Sequence, residues 1–160
     1  MLLLIEQASF EDLEQVKRLN ERTLPEHYTD SFWANALASF PEGFLVARDG
    51  PIVGYVMSII KRDNARSLTE QSYVGVIASI SIEPEHRRRG IASKLLKGAI
   101  EAMIGRNCNA IILQVRRSNI SAIKFYLKQG FEANTVLKGY YQAPSEDGIL
   151  MSKPLNKVFV

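Results

Sequence analysis

The sequence has 160 residues, of which 46% are hydrophobic and 23% charged, and its net charge is +3. These values fit one globular domain over residues 1–160, and no stretch reaches the roughly 18 consecutive apolar residues that a membrane-spanning helix requires. The opening residues 1–5 lack a basic segment, which predicts a first strand rather than a signal peptide. The single cysteine, Cys108, excludes an intrachain disulfide and a cysteine-based zinc site, and it predicts a cytoplasmic protein.

The first half of the chain predicts a strand, two helices and a hairpin. Ser9 and Asp12 form a capping box ahead of apolar residues at helical spacing. Thr29 or Asp30 caps the second helix, and an Asp-Gly dipeptide supplies the hairpin turn. The predicted bounds are a strand at Leu2–Gln7, a helix to about Arg22, a helix to Phe40, and strands at Phe44–Arg48 and Ile52–Ile60.

The second half alternates strands with helices and ends in two strands. A polar, charged stretch from Lys61 to Ser72 predicts a loop, Pro84 ends the strand that follows it, and Gly130 stops the last helix. The predicted bounds are strands at Tyr73–Ile82, Ala110–Val115, Phe131–Leu137 and Gly148–Pro154, and helices at Gly90–Met103 and Asn119–Gln129. The order β-α-α-β-β-β-α-β-α-β-β predicts an α+β or mixed α/β fold.

A basic tract, Glu85-His86-Arg87-Arg88-Arg89-Gly90-Ile91-Ala92, lies where the fourth predicted strand gives way to a helix. Three arginines there are unfavourable because a helix N-terminus carries partial positive charge, whereas a bound phosphate would reverse the sign. Together with Arg116 and Arg117, the tract concentrates positive charge in a way that suits a compact anion. A solvated basic loop or a contact with nucleic acid is the alternative that composition leaves open.

The spacing within Arg87–Ala92 resembles the diphosphate-binding signature Gln/Arg-x-x-Gly-x-Gly/Ala of the GNAT acetyltransferases. A second segment, Val115–Tyr126, resembles the strand-to-helix element of that family, in which an asparagine contacts the pantetheine arm and a tyrosine reaches the thioester sulfur. Asn119 and Tyr126 hold those positions. The resemblance implies the GNAT fold, in which a central mixed sheet splays between two parallel strands and is flanked by helices.

The resemblance implies acetyl-CoA as cofactor and coenzyme A as product. The residues that it assigns to acetyl-CoA are Ile80, Ser81 and Ile82 on the splayed strand, Arg87, Arg88, Arg89, Gly90, Ile91, Ala92 and Ser93 at the diphosphate, and Asn119 and Tyr126 along the pantetheine arm.

Further segments resemble the protein N-terminal acetyltransferases, namely the NatA catalytic subunit, its archaeal homologues and the RimI group. They are Leu24–Tyr28, Ser79–Ile82, and Lys138–Tyr141 with Glu146, Asp147 and Met151 downstream. The resemblance implies acetyl transfer to the free α-amino group of a protein or peptide by direct attack in a ternary complex. Tyr28, Tyr140 and Tyr141 are then candidates for binding the peptide. We expect no metal, no specific nucleic acid and no membrane as partners, and leave a ribosome or an auxiliary subunit open.

Two departures from these relatives bear on the general base. Val76 stands where archaeal relatives often have His, and Gln114 stands where relatives have Glu or His. Because Gln cannot take up a proton, Glu26 is the base candidate, acting through water, and Tyr126 is the candidate acid for the departing thiolate. A surface carboxylate and a packed core residue are the alternatives for these two side chains. The pKa of an α-amine is about 7.7–8.0 against about 10.4 for lysine, which favours a peptide N-terminus.

Other functions stay open on the sequence. One is an acetyltransferase for a small polyamine-like amine, for which Glu146 and Asp147 supply negative charge. Another is a catalytically weak sensor that binds acetyl-CoA. A nucleic-acid-binding module built on the arginine clusters is disfavoured, because no aromatic residues interleave them as in single-strand binders.

Overall fold

The computed structural model describes residues 2–63 and 72–155. Its strands and helices are β1 (Leu4–Gln7), α1 (Leu13–Thr23), α2 (Asp30–Ser39), β2 (Phe44–Arg48), β3 (Ile52–Arg62), β4 (Tyr73–Ile82), α3 (Ile91–Gly105), β5 (Cys108–Arg116), α4 (Ile120–Lys128), β6 (Glu132–Tyr141) and β7 (Glu146–Pro154). The predicted order of elements is confirmed. The predicted loop at Lys61–Ser72 begins later, because Lys61 and Arg62 continue β3, and residues 64–71 lie outside the described part of the chain.

Polar side chains fix the starts of the first two helices as the sequence predicts. The Asp12 carboxylate accepts hydrogen bonds from the backbone N–H of Ser9 at 2.8 Å and from its hydroxyl at 3.1 Å. This box closes a short 3₁₀ turn from which α1 continues. At α2, the Thr29 hydroxyl oxygen accepts from the N–H of Phe32 at 3.2 Å. That contact satisfies one of the donors that a helix start leaves unpaired.

The seven strands described form one sheet in the order β1-β2-β3-β4-β5-β7-β6. β4 and β5 pair in parallel, and the other neighbours pair antiparallel. α1 and α2 pack on one face in an apolar cluster around Trp33, and α3 packs on the other face, where Leu95, Leu96 and Met103 are fully buried. This is the mixed α/β sandwich that the sequence predicts.

The parallel strands β4 and β5 separate halfway along their length. Tyr73–Val76 pairs with residues between Cys108 and Ile112, and the pairing ends there. Beyond that point β4 continues to Ile82 against β3, while Leu113–Arg116 continues against β7. Because a strand directs polar backbone groups to both sides, the second half of β4 presents N–H and C=O groups to the gap. The predicted splay is therefore confirmed, and it opens a cleft in the centre of the sheet.

A β-bulge shapes β4 beside this cleft. Met57 faces Ser79 and Ser58 faces Ile77, so that Ala78 is the extra residue on β4. A bulge bends its strand and increases the local twist. Ser58 is fully buried at this point, and its hydroxyl makes no hydrogen bond within the described part of the chain.

We predict that Ser58→Ala leaves the free energy of unfolding unchanged or raises it by up to about 1 kcal/mol, because an unpaired buried hydroxyl carries a desolvation cost that alanine lacks. Ser79→Ala is the matched control. Ser79 is also buried, but its hydroxyl lies 2.7 Å from that of Tyr55, and its loss should cost about 1 kcal/mol. Urea titrations compare the two variants. Equal losses would mean that the Ser58 hydroxyl is hydrogen-bonded in solution.

Candidate active site

The basic tract forms the loop between β4 and α3 and the first turn of that helix. Arg88 and Gly90 have positive φ angles of 62° and 77°, a conformation found in backbone nests that bind anions. The first bond of the helix ladder runs from the N–H of Lys94 to the carbonyl of Gly90 at 3.1 Å. The N–H groups of Ile91–Ser93 precede that ladder, and the helix dipole adds partial positive charge to them. These groups fit a diphosphate, and their contact with one stays a prediction.

The basic tract is exposed and is tied to the body of the fold by two contacts. All three of its arginines are exposed. Arg87 Nε donates to the carbonyl of Ile82 at 3.0 Å, so this guanidinium ties the loop to the end of β4. Next to it, His86 Nε2 lies 3.2 Å from Asp49 Oδ2 in the β2–β3 turn. These contacts hold the loop in place.

The other residues predicted to contact acetyl-CoA flank the cleft. Ile80–Ile82 is the end of β4, beyond its pairing with β5, and the Ser81 hydroxyl donates to Thr23 Oγ1 at 2.8 Å on the α1 side. Asn119 is the N-cap of α4, where its Oδ1 accepts from the N–H of Ala122 at 3.2 Å. Tyr126 lies on α4 with 6% of its surface exposed. The basic tract and the start of α4 thus follow the separated ends of β4 and β5, and the contact of these residues with acetyl-CoA stays a prediction.

A cluster of tyrosines lies beside the bulge of β4. The Tyr28 hydroxyl donates to the carbonyl of the bulged Ala78 at 2.6 Å, and its ring stacks on Phe32 with centroids 4.8 Å apart. Each phenol of the cluster interacts electrostatically with at least one other member. The members are Tyr28, Tyr55, Tyr126, Tyr140 and Tyr141. Four of these were predicted site residues. Tyr55 was not, because an aromatic residue in a buried strand carries no signal that separates a site from a core.

Burial keeps three of these phenols protonated, namely those of Tyr28, Tyr126 and Tyr141. It raises the pKa of Tyr28 to about 12 and raises the pKa of both Tyr126 and Tyr141 above the ordinary value. Neighbouring phenols add to each shift, and the Glu26 carboxylate adds to the shifts of Tyr28 and Tyr141. Glu26 therefore lies close to the cluster. At neutral pH these three hydroxyls are hydrogen-bond donors rather than phenolates.

Glu26 is held at the cluster by side chains from two elements. Arg116 Nη2 and Nε lie 2.6 and 2.8 Å from Glu26 Oε1. The Asn20 amide donates to the carbonyl of Glu26 at 3.0 Å and to the Tyr55 hydroxyl at 3.1 Å, which fixes the loop between α1 and α2. Glu26 Oε2 makes no hydrogen bond to any residue in the described ranges, and 34% of the side chain is exposed. The carboxylate is thus positioned by the fold, with one oxygen left for water.

Arg116 is, with Tyr55, a residue of this cluster whose place sequence reasoning missed. It had been grouped with Arg117 as charge for a compact anion, but its partners are internal. Besides Glu26 it donates to the carbonyl of Pro144 at 2.8 Å and to Glu146 Oε1 at 3.4 Å. Only 11% of its side chain is exposed, against 60% for Arg117. Since Glu26 is 90 positions away in the chain, no local pattern could have indicated this pair.

Val76 and Gln114, the two positions where the sequence departs from the family pattern, lie on β4 and β5 respectively. Val76 lies in the last paired position of β4, opposite Ile112, and is 5% exposed. Gln114 lies beyond the separation and pairs with Leu150 of β7. Within residues 2–63 and 72–155, no group of His, Cys, Asp and Glu side chains is arranged to hold a metal ion.

Comparison with known proteins gives the class to which this arrangement belongs. Residues 7–131 match the Acetyltransferase (GNAT) family. The N-alpha-acetyltransferase of Saccharolobus solfataricus is 39% identical over 152 residues, which are 92% of this chain and 90% of that protein. The N-alpha-acetyltransferase of Sulfurisphaera tokodaii is 37% identical over 155 residues, 94% of this chain and 92% of that protein. Among solved structures, Naa50 of Arabidopsis thaliana is 25% identical with a TM-score of 0.81, covering 97% of this chain and 100% of that one. The chain belongs to the GNAT family of acetyltransferases.

We predict that Gly90→Ala weakens the binding of coenzyme A by about 10-fold, which is about 1.4 kcal/mol. A Cβ at Gly90 meets no atom within 4 Å, so the added methyl would occupy space that the chain leaves for the diphosphate. Gly50→Ala is the matched control, because Gly50 has a φ of +73° and equally open surroundings in the β2–β3 turn. Both variants should lower the free energy of unfolding by about 1 kcal/mol, because alanine is disfavoured at the positive φ angles of these two positions. Calorimetry measures the affinity, and equal affinities would argue against a diphosphate at Gly90.

Proposed function

We propose that this protein transfers the acetyl group of acetyl-CoA to the free α-amino group of protein and peptide N-termini. The observation that carries the proposal is that one strand, β4, borders two chemically different places. Its end leads into the basic tract, which fits a diphosphate, and its bulge at Ala78 contacts the tyrosine cluster around Glu26. Two archaeal relatives are N-alpha-acetyltransferases, and Naa50 of Arabidopsis thaliana was solved with the bisubstrate analogue CoA-Ac-MVNAL.

On this proposal the donor side holds acetyl-CoA through backbone groups. Ile80–Ile82 pairs with the amide-bearing pantetheine arm, and the loop Arg87–Ser93 takes the diphosphate. Since Oδ1 of Asn119 is used as the helix cap, its amide nitrogen is the group that remains for the pantetheine arm. Bound acetyl-CoA supplies an acetyl thioester. Holding it next to the acceptor supplies much of the rate through proximity.

The acceptor side is proposed to bind the peptide through tyrosines. The Tyr28 hydroxyl already donates a hydrogen bond to the carbonyl of Ala78. Toward a peptide, its oxygen can therefore accept a hydrogen bond, and its ring can provide apolar contact. Tyr140 is 49% exposed, and its ring lies 5.0 Å from that of Tyr141. A half-exposed pair of rings that carry hydroxyl groups suits the backbone of an extended peptide.

Glu26 is proposed as the general base. The attacking amine must be neutral, and its proton passes through a water molecule to Oε2, the oxygen that Arg116 does not hold. A carboxylate is a weak base, which is enough for an α-amine with a pKa of about 7.7–8.0 and a poor match for lysine with a pKa of about 10.4. This chemistry favours N-termini over lysine side chains.

Tyr126 is proposed to stabilise the departing thiolate. Burial raises the pKa of Tyr126 above its ordinary value of 10.0, whereas a thiol has a pKa of about 8.5. Complete proton transfer from the phenol to the thiolate is therefore uphill. A hydrogen bond from Tyr126 stabilises the thiolate as the C–S bond breaks, and water supplies the proton afterwards. The role of acid predicted from the sequence becomes that of a hydrogen-bond donor.

The acidic pair near the chain's end argues against a small polyamine as the acceptor. Glu146 accepts hydrogen bonds from the Ser118 N–H at 2.6 Å and from Arg116, and Asp147 accepts from the Gly139 N–H at 2.8 Å. These contacts hold the pKa of both carboxyl groups below the ordinary value, with the bonds from Ser118 and Gly139 as the main causes. Both carboxylates thus have partners within the chain, whereas a polyamine needs open negative charge.

Location and partners belong to the proposal as well. No helix in the described part of the chain has the length and apolarity needed to cross a bilayer. The sequence contains a single cysteine, Cys108, which is 1% exposed, and this low cysteine content supports our proposal of a cytoplasmic protein. A ribosome or an auxiliary subunit as partner stays a prediction.

The function is tested by thiol release from acetyl-CoA with short peptides. We expect turnover with free N-termini, and none with an N-terminally blocked peptide that carries a lysine. Spermidine serves as the competing small amine. Turnover of spermidine alone would support the small-amine alternative, and binding of acetyl-CoA without turnover of any acceptor would support the sensor.

The catalytic roles predict different pH profiles. Glu26→Gln should lower kcat by about 10- to 100-fold near pH 7, and by less at pH 9, where an amine with a pKa of about 8 is already neutral. Tyr126→Phe should lower kcat by about 10-fold throughout, because a phenol whose pKa is raised does not titrate between pH 7 and 9. Coenzyme A affinity, measured by calorimetry, controls for loss of the donor site. If the loss of kcat in Glu26→Gln is the same at pH 7 and at pH 9, Glu26 is not the general base.

A further inference from the structure

Glu146, the first residue of β7, contacts residues that belong to both substrate sites. Its Oε2 accepts from the N–H of Ser118 at 2.6 Å, and its Oε1 lies 3.4 Å from Arg116 Nη1. Ser118 directly precedes Asn119, the cap of α4 on the donor side. Arg116 in turn holds the Glu26 carboxylate on the acceptor side. We call the chain Glu26–Arg116–Glu146–Ser118 the Glu146 network.

Arg116 extends this network to the β6–β7 hairpin. Its guanidinium donates to the carbonyls of Ala143 and Pro144 at 3.5 and 2.8 Å and lies 4.4 Å from the centre of the Tyr141 ring. The hairpin that carries the predicted peptide-binding tyrosines is therefore bound to the loop that carries Glu26. One guanidinium, on a side chain that is 11% exposed, thus joins both walls of the proposed acceptor site.

We propose that Glu146 is a positioning residue that fixes the acceptor walls relative to Asn119, the predicted pantetheine contact. This inference rests on the proposed function. The physical reason is that charge-assisted hydrogen bonds are shorter and stronger than neutral ones, and Glu146 makes such a bond to each side. Without its charge, the start of α4 and the hairpin lose their shared anchor, so donor binding and acceptor binding change together.

Glu146→Gln tests this with little change in shape. The amide offers one oxygen and one NH₂ group to two partners, Ser118 N–H and Arg116, that are both donors. Either orientation of the amide therefore loses one of the two bonds. We expect the Kd of acetyl-CoA and the KM of the peptide each to rise about 3- to 10-fold.

Glu132→Gln is the matched control, because it makes the same change of side chain. Glu132 is the first residue of β6, is exposed and lies outside the Glu146 network. It should leave both constants within about 2-fold of the original protein, as expected for an exposed surface residue. A melting temperature for each variant reports any general loss of stability.

Acetyl-CoA affinity is measured by calorimetry, which needs no turnover and so separates this inference from the proposed function. If no peptide is acetylated by the unaltered protein, the proposed function fails, while weaker acetyl-CoA binding in Glu146→Gln still supports the link to the donor side. A lower melting temperature with both constants unchanged would show that Glu146 only stabilises the fold, and would overturn the proposal.

Discussion

Polar backbone groups in the middle of a sheet are ordinarily paired, yet here the pairing of β4 with β5 ends at Val76 and Ile112. Each strand remains held by its outer neighbour, so the sheet tolerates the gap. The inner groups of β4 must then find partners elsewhere. The Tyr28 hydroxyl donates a hydrogen bond to the carbonyl of Ala78. On the proposed function, the pantetheine arm hydrogen-bonds to backbone groups further along β4. The cleft that the proposed function requires is a direct result of this separation.

Arginines with the same chemistry serve opposite purposes according to their surroundings. Arg116 is nearly buried, and its guanidinium N–H groups donate to carboxylate and carbonyl oxygens of the chain. Its charge therefore holds segments of the protein together. Arg88, by contrast, is exposed on a backbone with positive φ, where its charge adds to that of the helix start. A count of positive residues could not have separated these roles, because burial and partners decide them.

The parts of the molecule that the sequence predicted are those with local causes. Helix starts follow from capping side chains, and the position of the basic tract between β4 and α3 follows from a contiguous stretch of sequence. The predicted end of β6 at Leu137 was four residues short of Tyr141, because that strand is exposed on both faces and lacks the alternation that marks a strand. The bulge at Ala78 and the pair between Glu26 and Arg116 arise from contacts between distant segments. They had no signal in any window of the sequence.

The position of β7 between β5 and β6 has a consequence for the order in which the molecule is completed during synthesis. The basic tract and the strands around it precede Leu113 in the chain, whereas the hairpin wall of the acceptor site waits for the last strand to insert beside β5. On the proposed function, the residues that hold acetyl-CoA are therefore all synthesised before Glu146, whereas the wall that receives the amine is completed only by the nine residues of β7.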